Sequence, residues 1–173
     1  MKKSRITALV LCIITELTVF SSCGSSNKIT NSYLLDIIET GILGKSQAEI
    51  LALDKYTAEF KVNEKDMDDG THRVKYTYVD MNPHGDAFVS GGKWFTTVNY
   101  FFDQDSLVTY RIEYRQSDYS QGMCAKRMTM FSEYLTEKFG EPVKENCWEI
   151  AGGVLEMKKQ NGGWILFVYE AIE

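Results

Sequence analysis

The chain has 173 residues, of which 13% are aromatic and 25% charged, with a formal net charge of −5. That length suits one domain with a real hydrophobic core, and the aromatic content argues against disorder. An acidic chain gains nothing from counterion release on a phosphate backbone, so nucleic acid is a poor partner, and no polybasic patch suited to a membrane surface is present.

Lys2, Lys3 and Arg5 form a basic opening, an apolar run from Ile6 to Phe20 follows, and Phe20-Ser21-Ser22-Cys23 closes it. This order reads as a secretory signal over residues 1–22. The small residues before Cys23 resemble the lipobox of bacterial lipoproteins. The resemblance implies a mature chain that starts at Cys23, carries lipid such as palmitate there, and works in the cell envelope. Gly24 is not the inner-membrane retention aspartate, so the same rule favours the outer membrane. A spanning anchor needs roughly 20 mainly apolar residues, whereas Glu16 interrupts a shorter run here. An ordinary cleaved signal is the other reading. Residues 23–30 are small and polar, as a flexible tether is. Loss of the signal removes three basic residues and one acidic one, which takes the charge from −5 to −7.

A first helix is expected from Asn31 to Ile42, with Leu34, Ile37 and Ile38 at helical spacing, ended by Leu43-Gly44-Lys45. Ser46-Gln47-Ala48-Glu49 is a capping box, and Ile50, Leu51 and Leu53 make a short second helix, giving an αα-hairpin. Thr57 to Asn63 reads as extended and Glu64 to Gly70 as an acidic loop. His72 to Met81 alternates Val74, Tyr76 and Tyr78 with Arg73, Lys75 and Thr77, the pattern of a half-buried strand. Asn82 to Gly92 is a long loop. Strands at Lys93–Phe102 and Leu107–Arg115 are joined through Asp103-Gln104-Asp105-Ser106. A third helix runs from Tyr119 to Phe139 with Cys124, Met128, Phe131 and Leu135 in one stripe, stopped by Gly140 and Pro142. Val143–Ile150, Val154–Lys159 and Trp164–Ala171 complete the strands, with turns at Gly152-Gly153 and Asn161-Gly162. The expected fold class is α+β. An N-terminal αα-hairpin and one longer central helix pack on one face of an antiparallel sheet, in a single domain over 31–173.

The chemistry offered is sparse. The carboxylates at 64–69 lack the spacing of a calcium loop, and Asp103 and Asp105 suit a turn. His72 and His84 have no short-spaced partners for zinc, and Ser90-Gly91-Gly92 lacks the frame of a nucleophile elbow. No catalytic residue, cofactor or metal is expected. Cys124 and Cys147 are either a disulfide, which suits an oxidising compartment, or two separate thiols. The alternation turns Cys147 away from the face of Trp148 and Ile150, which opposes the bond. Tyr76, Tyr78, Trp94, Tyr110 and Tyr114 are candidate interface aromatics, since such rings anchor protein contacts, and the competing reading places them in the core.

Gly44-Lys45-Ser46-Gln47-Ala48-Glu49-Ile50 resembles the helix-turn-helix opening of SmpA/BamE-type outer-membrane lipoproteins, and Tyr100 to Leu107 is similar to their hairpin. The same unit occurs in tandem in β-lactamase-inhibitor-protein-like domains. Tyr134 to Pro142 has the leucine, glycine and proline that end such a helical part, so a degenerate second helix-then-sheet unit is a further reading. The resemblance implies a binding or accessory module. The leading expectation is therefore a lipid-anchored, non-enzymatic envelope protein that binds another envelope protein. The alternative is a small-molecule carrier or hydrolase with a cavity between helices and sheet. Oligomeric state is open.

Overall fold

Alternation of apolar and polar residues dominates the architecture. The computed structural model describes residues 32–53, 61–79, 94–116 and 121–172. Seven strands form one antiparallel sheet: β1 (Lys61–Asp66), β2 (His72–Val79), β3 (Trp94–Asp103), β4 (Ser106–Gln116), β5 (Cys147–Ile150), β6 (Gly153–Gln160) and β7 (Trp164–Ala171). Their spatial order is β1-β2-β3-β4-β7-β6-β5, so the last strand lies next to the middle one. The helices are α1 (Tyr33–Asp36), which runs on as a 3-10 turn over Ile37–Thr40, α2 (Gln47–Leu53) and α3 (Gln121–Phe139).

The class is α+β, but the expected frame of an αα-hairpin and a central helix is overturned. The sheet is the frame, and the N-terminal helices, of four and seven residues, are short pieces laid on it. The first helix fails early for local reasons. Ile37 and Ile38 are β-branched and stiff in a helix, and Thr40 Oγ1 donates to the Ile37 carbonyl at 2.7 Å, a side-chain bond that competes with helix propagation. Gly41 then takes a left-handed φ of 64° and its N–H bonds Ile38 O. The capping box forms: Ser46 N donates to Glu49 Oε2 at 2.9 Å, and Glu49 N to Ser46 Oγ at 3.3 Å. The Ser46 N–H bond foremost, and then the Ser46 hydroxyl, which donates to the same carboxylate oxygen at 2.9 Å, hold the Glu49 carboxyl below its usual range.

Two strand boundaries also differ. The acidic stretch is not all loop, because β1 runs through Glu64 to Asp66, and the turn begins at Met67, whose N–H bonds Thr71 O at 2.8 Å. Conversely, 143–146 is not strand. Asn146 has a φ of 56°, and Cys147 N bonds Lys144 O at 3.0 Å, so β5 keeps only four residues.

One face of the sheet, here the inner face, carries the core. Val74, Tyr100, Tyr110, Tyr169, Leu155 and Trp148 form one row across six strands, and all are at most 1% exposed. Leu34, Leu35, Ile38 and Ile50 from the N-terminal turns and Phe131 and Leu135 from α3 join the same cluster. Tyr110 Oη ties this layer down by donating to Leu34 O at 2.9 Å. The β3–β4 turn is stitched to it as well. Gln104 and Asp105 take φ values of 46° and 66°, and Asp105 Oδ1 accepts the Gln47 N–H at the start of α2 at 3.0 Å. No described helix is long and apolar enough to cross a membrane.

Candidate functional site

The opposite, outer face of the sheet presents the odd-numbered residues of β1–β3, those of β4 from Thr109 onward, and the even-numbered residues of β6 and β7, and the described helices pack on the other side. One cross-strand row reads Asn63, Lys75, Asn99, Arg111, Val168, Glu156, Cys147. The next reads Lys65, Arg73, Phe101, Thr109, Glu170, Val154, Glu149. Paired residues share a face and lie within side-chain reach, so these rows show what the surface offers.

Charge is divided across it. Over β1–β4 stand Lys65, Arg73, Lys75, Arg111 and Arg115, with Asp103 and Glu113 as the acidic exceptions. Over β5–β7 stand Glu149, Glu156 and Glu170, and the basic exception, Lys158, is held by Glu156 at 2.7 Å. Two guanidiniums lie on rings: Arg115 Cζ is 3.4 Å from the centroid of Trp164, and Arg111 Cζ is 4.8 Å from that of Phe101. Stacking of this kind orients a cation and fixes its side chain. Arg73 Nε is shielded from solvent and has no hydrogen-bond partner among the described residues. An apolar seam of half-buried Val154, Leu166 and Phe101 and buried Val168 runs between the charges.

The candidate interface aromatics are placed elsewhere. Tyr76, Tyr110 and Tyr114 are 1–2% exposed in the inner-face core, which corrects their reading as interface anchors. The alternation that made them conspicuous assigns them to the covered face. Tyr78 and Trp94 sit by register opposite Thr96 and Gln116, and their side chains lie outside the described residues. Trp164, by contrast, is half-buried on the outer face. What the sequence reading missed is the other half of the same pattern: Arg73, Lys75, Arg111 and Arg115 alternate with those tyrosines, and their shared parity was the available signal.

Of the two readings of the cysteines, the structure has the separate thiols. No disulfide joins Cys124 and Cys147, and both are buried. Cys124 belongs to the inner core cluster, whereas Cys147 pairs with Glu156 on the outer face, so a bond between them would have to cross the sheet. Burial, opposed by Lys144, pushes the Cys147 thiol up. Cys23 and the signal over 1–22, the tether, His84 and Ser90 lie outside the described residues.

A second polar cluster joins α1 to α3. Tyr134 Oη donates to Asp36, Ser32 N donates to Tyr134 Oη at 3.2 Å, and Lys138 Nζ lies 2.6 Å from Asp36 and 3.1 Å from Glu39. Burial pulls the Lys138 amine down, but the bonds to Asp36 and Glu39 outweigh it and leave the pKa raised. These contacts clamp a helix pair. His72 Nδ1 is 2.9 Å from Asp66 at the β1–β2 end, yet no group of three or more His, Cys, Asp or Glu side chains among the described residues could hold a metal. Comparison of the chain with protein-family models, with curated proteins and with solved structures finds no match.

Proposed function

We propose that the chain is a lipid-anchored, non-enzymatic binding module of the bacterial envelope, with the outer face of its sheet as the protein-binding surface. The supporting observation is the ordered charge on that face. Guanidiniums already fixed on rings lose little side-chain freedom when a partner arrives, which lowers the cost of association. The signal-like opening ending at Cys23 supports the anchor, and the capping-box segment that resembles SmpA/BamE-type lipoproteins agrees with an accessory role.

A photo-crosslinking amino acid at Thr109, on the outer face, tests the surface in living cells. It should give discrete adducts with polypeptide, and the same probe at Glu133, on the exposed side of α3, should not. Equal labelling at both positions, or none at Thr109, overturns the reading. For the anchor, Cys23→Ala should move the protein from the membrane to the soluble envelope fraction, and labelled fatty acid should enter only the unsubstituted chain. An unlabelled native chain ends the lipoprotein assignment.

A further inference from the structure

We infer that the occupant of the outer face is a second copy of this same chain, an inference that rests on the reading of that face as a protein-binding surface. The surface is complementary to itself. Its basic half covers β1–β4 and its acidic half β5–β7, and β4 is the middle strand of seven. A two-fold axis parallel to the strands and passing over β4 sets the β1–β3 side of each copy against the β5–β7 side of the other and sets β4 on β4, so the complementarity lies in the flanks while Arg111, Glu113 and Arg115 face their own counterparts. Such an isologous contact satisfies both copies at once.

The register makes this specific. Lys75 and Glu156 lie in the same row as Arg111, two strands to either side of β4. The axis therefore brings Lys75 opposite Glu156 of the second copy. Lys65 and Glu149 share the next row, three strands to either side of β4, and they too come into opposition. A two-fold axis perpendicular to the strands would instead set Lys75 on Lys75 and Glu156 on Glu156. Packed sheets hold their strands within about 30° of one another, so the opposition is closest near β4 and loosens toward the edges.

Area and chemistry agree. At about 4.8 Å between strands and 3.3 Å per residue, the face covers roughly 700 Å², close to the ~800 Å² per partner of ordinary stable complexes. The seam of Val154, Leu166, Val168 and Phe101 supplies apolar contact at its middle. The mature charge of −7 works against association. That repulsion acts at long range and is screened within about 8 Å at physiological salt, whereas the paired rows meet at contact distance.

Sedimentation velocity of the full chain carrying Cys23→Ala, at physiological salt and from about 1 to 100 µM, should show a reversible dimer, since interfaces of this area bind at micromolar or tighter. Lys65→Glu with Lys75→Glu should weaken it at least about tenfold, as should Glu149→Lys with Glu156→Lys. Mixed in equal amounts, the two reversed proteins should dimerise with each other, an outcome that misfolding cannot imitate. A native chain that stays monomeric throughout, or a mixture that does, overturns the inference. If the native chain is monomeric while the Thr109 probe still captures a different protein, the binding surface stands with another occupant. If neither dimer nor adduct appears, both readings fall.

Discussion

The two faces of the sheet are made by the same strands yet obey different rules. On the inner face, side chains are large, mutually packed and almost wholly buried. Phe131 from α3 meets Phe167 edge-on at 4.8 Å and stacks on Tyr114 at 5.4 Å. On the outer face, cations lie flat on single rings and remain in solvent. The large rings of the core are thereby concentrated on one side, and the other carries the charged side chains. Single residues tell the two apart.

Phe131→Ala should have the largest effect, about 3–5 kcal/mol, because it removes the ring at the centre of the helix–sheet contact and leaves a cavity. Urea unfolding measures it, and a loss below about 1 kcal/mol would mean that α3 is not part of the core.

Gly153→Ala comes next. A Cβ there would sit 2.5 Å from Tyr169 Cε2 and 2.6 Å from Leu43 Cδ1. The Tyr169 ring cannot easily retreat, since its hydroxyl donates to Ile150 O at 2.7 Å. Overpacking of this kind costs about 1–3 kcal/mol. A fully stable Gly153→Ala protein would show that the ring and Leu43 can both move aside.

Lys138→Met sharpens the contrast through pH. The folded pKa of Lys138 is raised above 10.5. Its contribution is therefore complete below that value and is lost as pH rises through the folded pKa. The stability gap between native protein and variant should stay constant up to about pH 9 and narrow above 10.5. Tyr169, whose pKa burial also raises, is common to both proteins and cancels. A gap independent of pH would mean that the amine makes no net contribution through Asp36 and Glu39.

The smallest effect belongs to the outer face. Arg111→Ala or Arg115→Ala should change monomer stability by about 0.5 kcal/mol, the worth of an exposed cation–π contact. A loss of several kcal/mol would mark that face as a second core and remove the ground for treating it as a surface.

The faces were legible before the structure, and the frame was not. Strict alternation over His72–Val79 and Thr109–Arg115 defines two sides wherever strands form, because the side-chain period is two. The capping box and the stop at Gly140 are equally local and equally readable. Which strands pair is a different matter. Nothing within Trp164–Ala171 says that it neighbours β4 across the whole of α3, and without that neighbour the sheet looks like two hairpin groups separated by a helix. The tyrosines were misassigned for a related reason. Composition marks a large amphipathic ring as adhesive, but only the covered face decides what it adheres to. As for the outer site, its charges are visible one by one, and their division by sign emerges only from the seven-strand order.

That order also imposes a timetable. β7, Trp164–Ala171, is inserted between β4 and β6, so the ladder that unites the two halves of the sheet waits for the strand that comes after all six others in sequence. Synthesis runs from the other end, at about 5–20 residues per second. Until the final strand has emerged, β4 has an unfilled edge and β6 lacks its inner neighbour. The sheet therefore cannot close until synthesis has passed Ala171, and removal of Trp164–Ala171 takes out the strand that joins its halves.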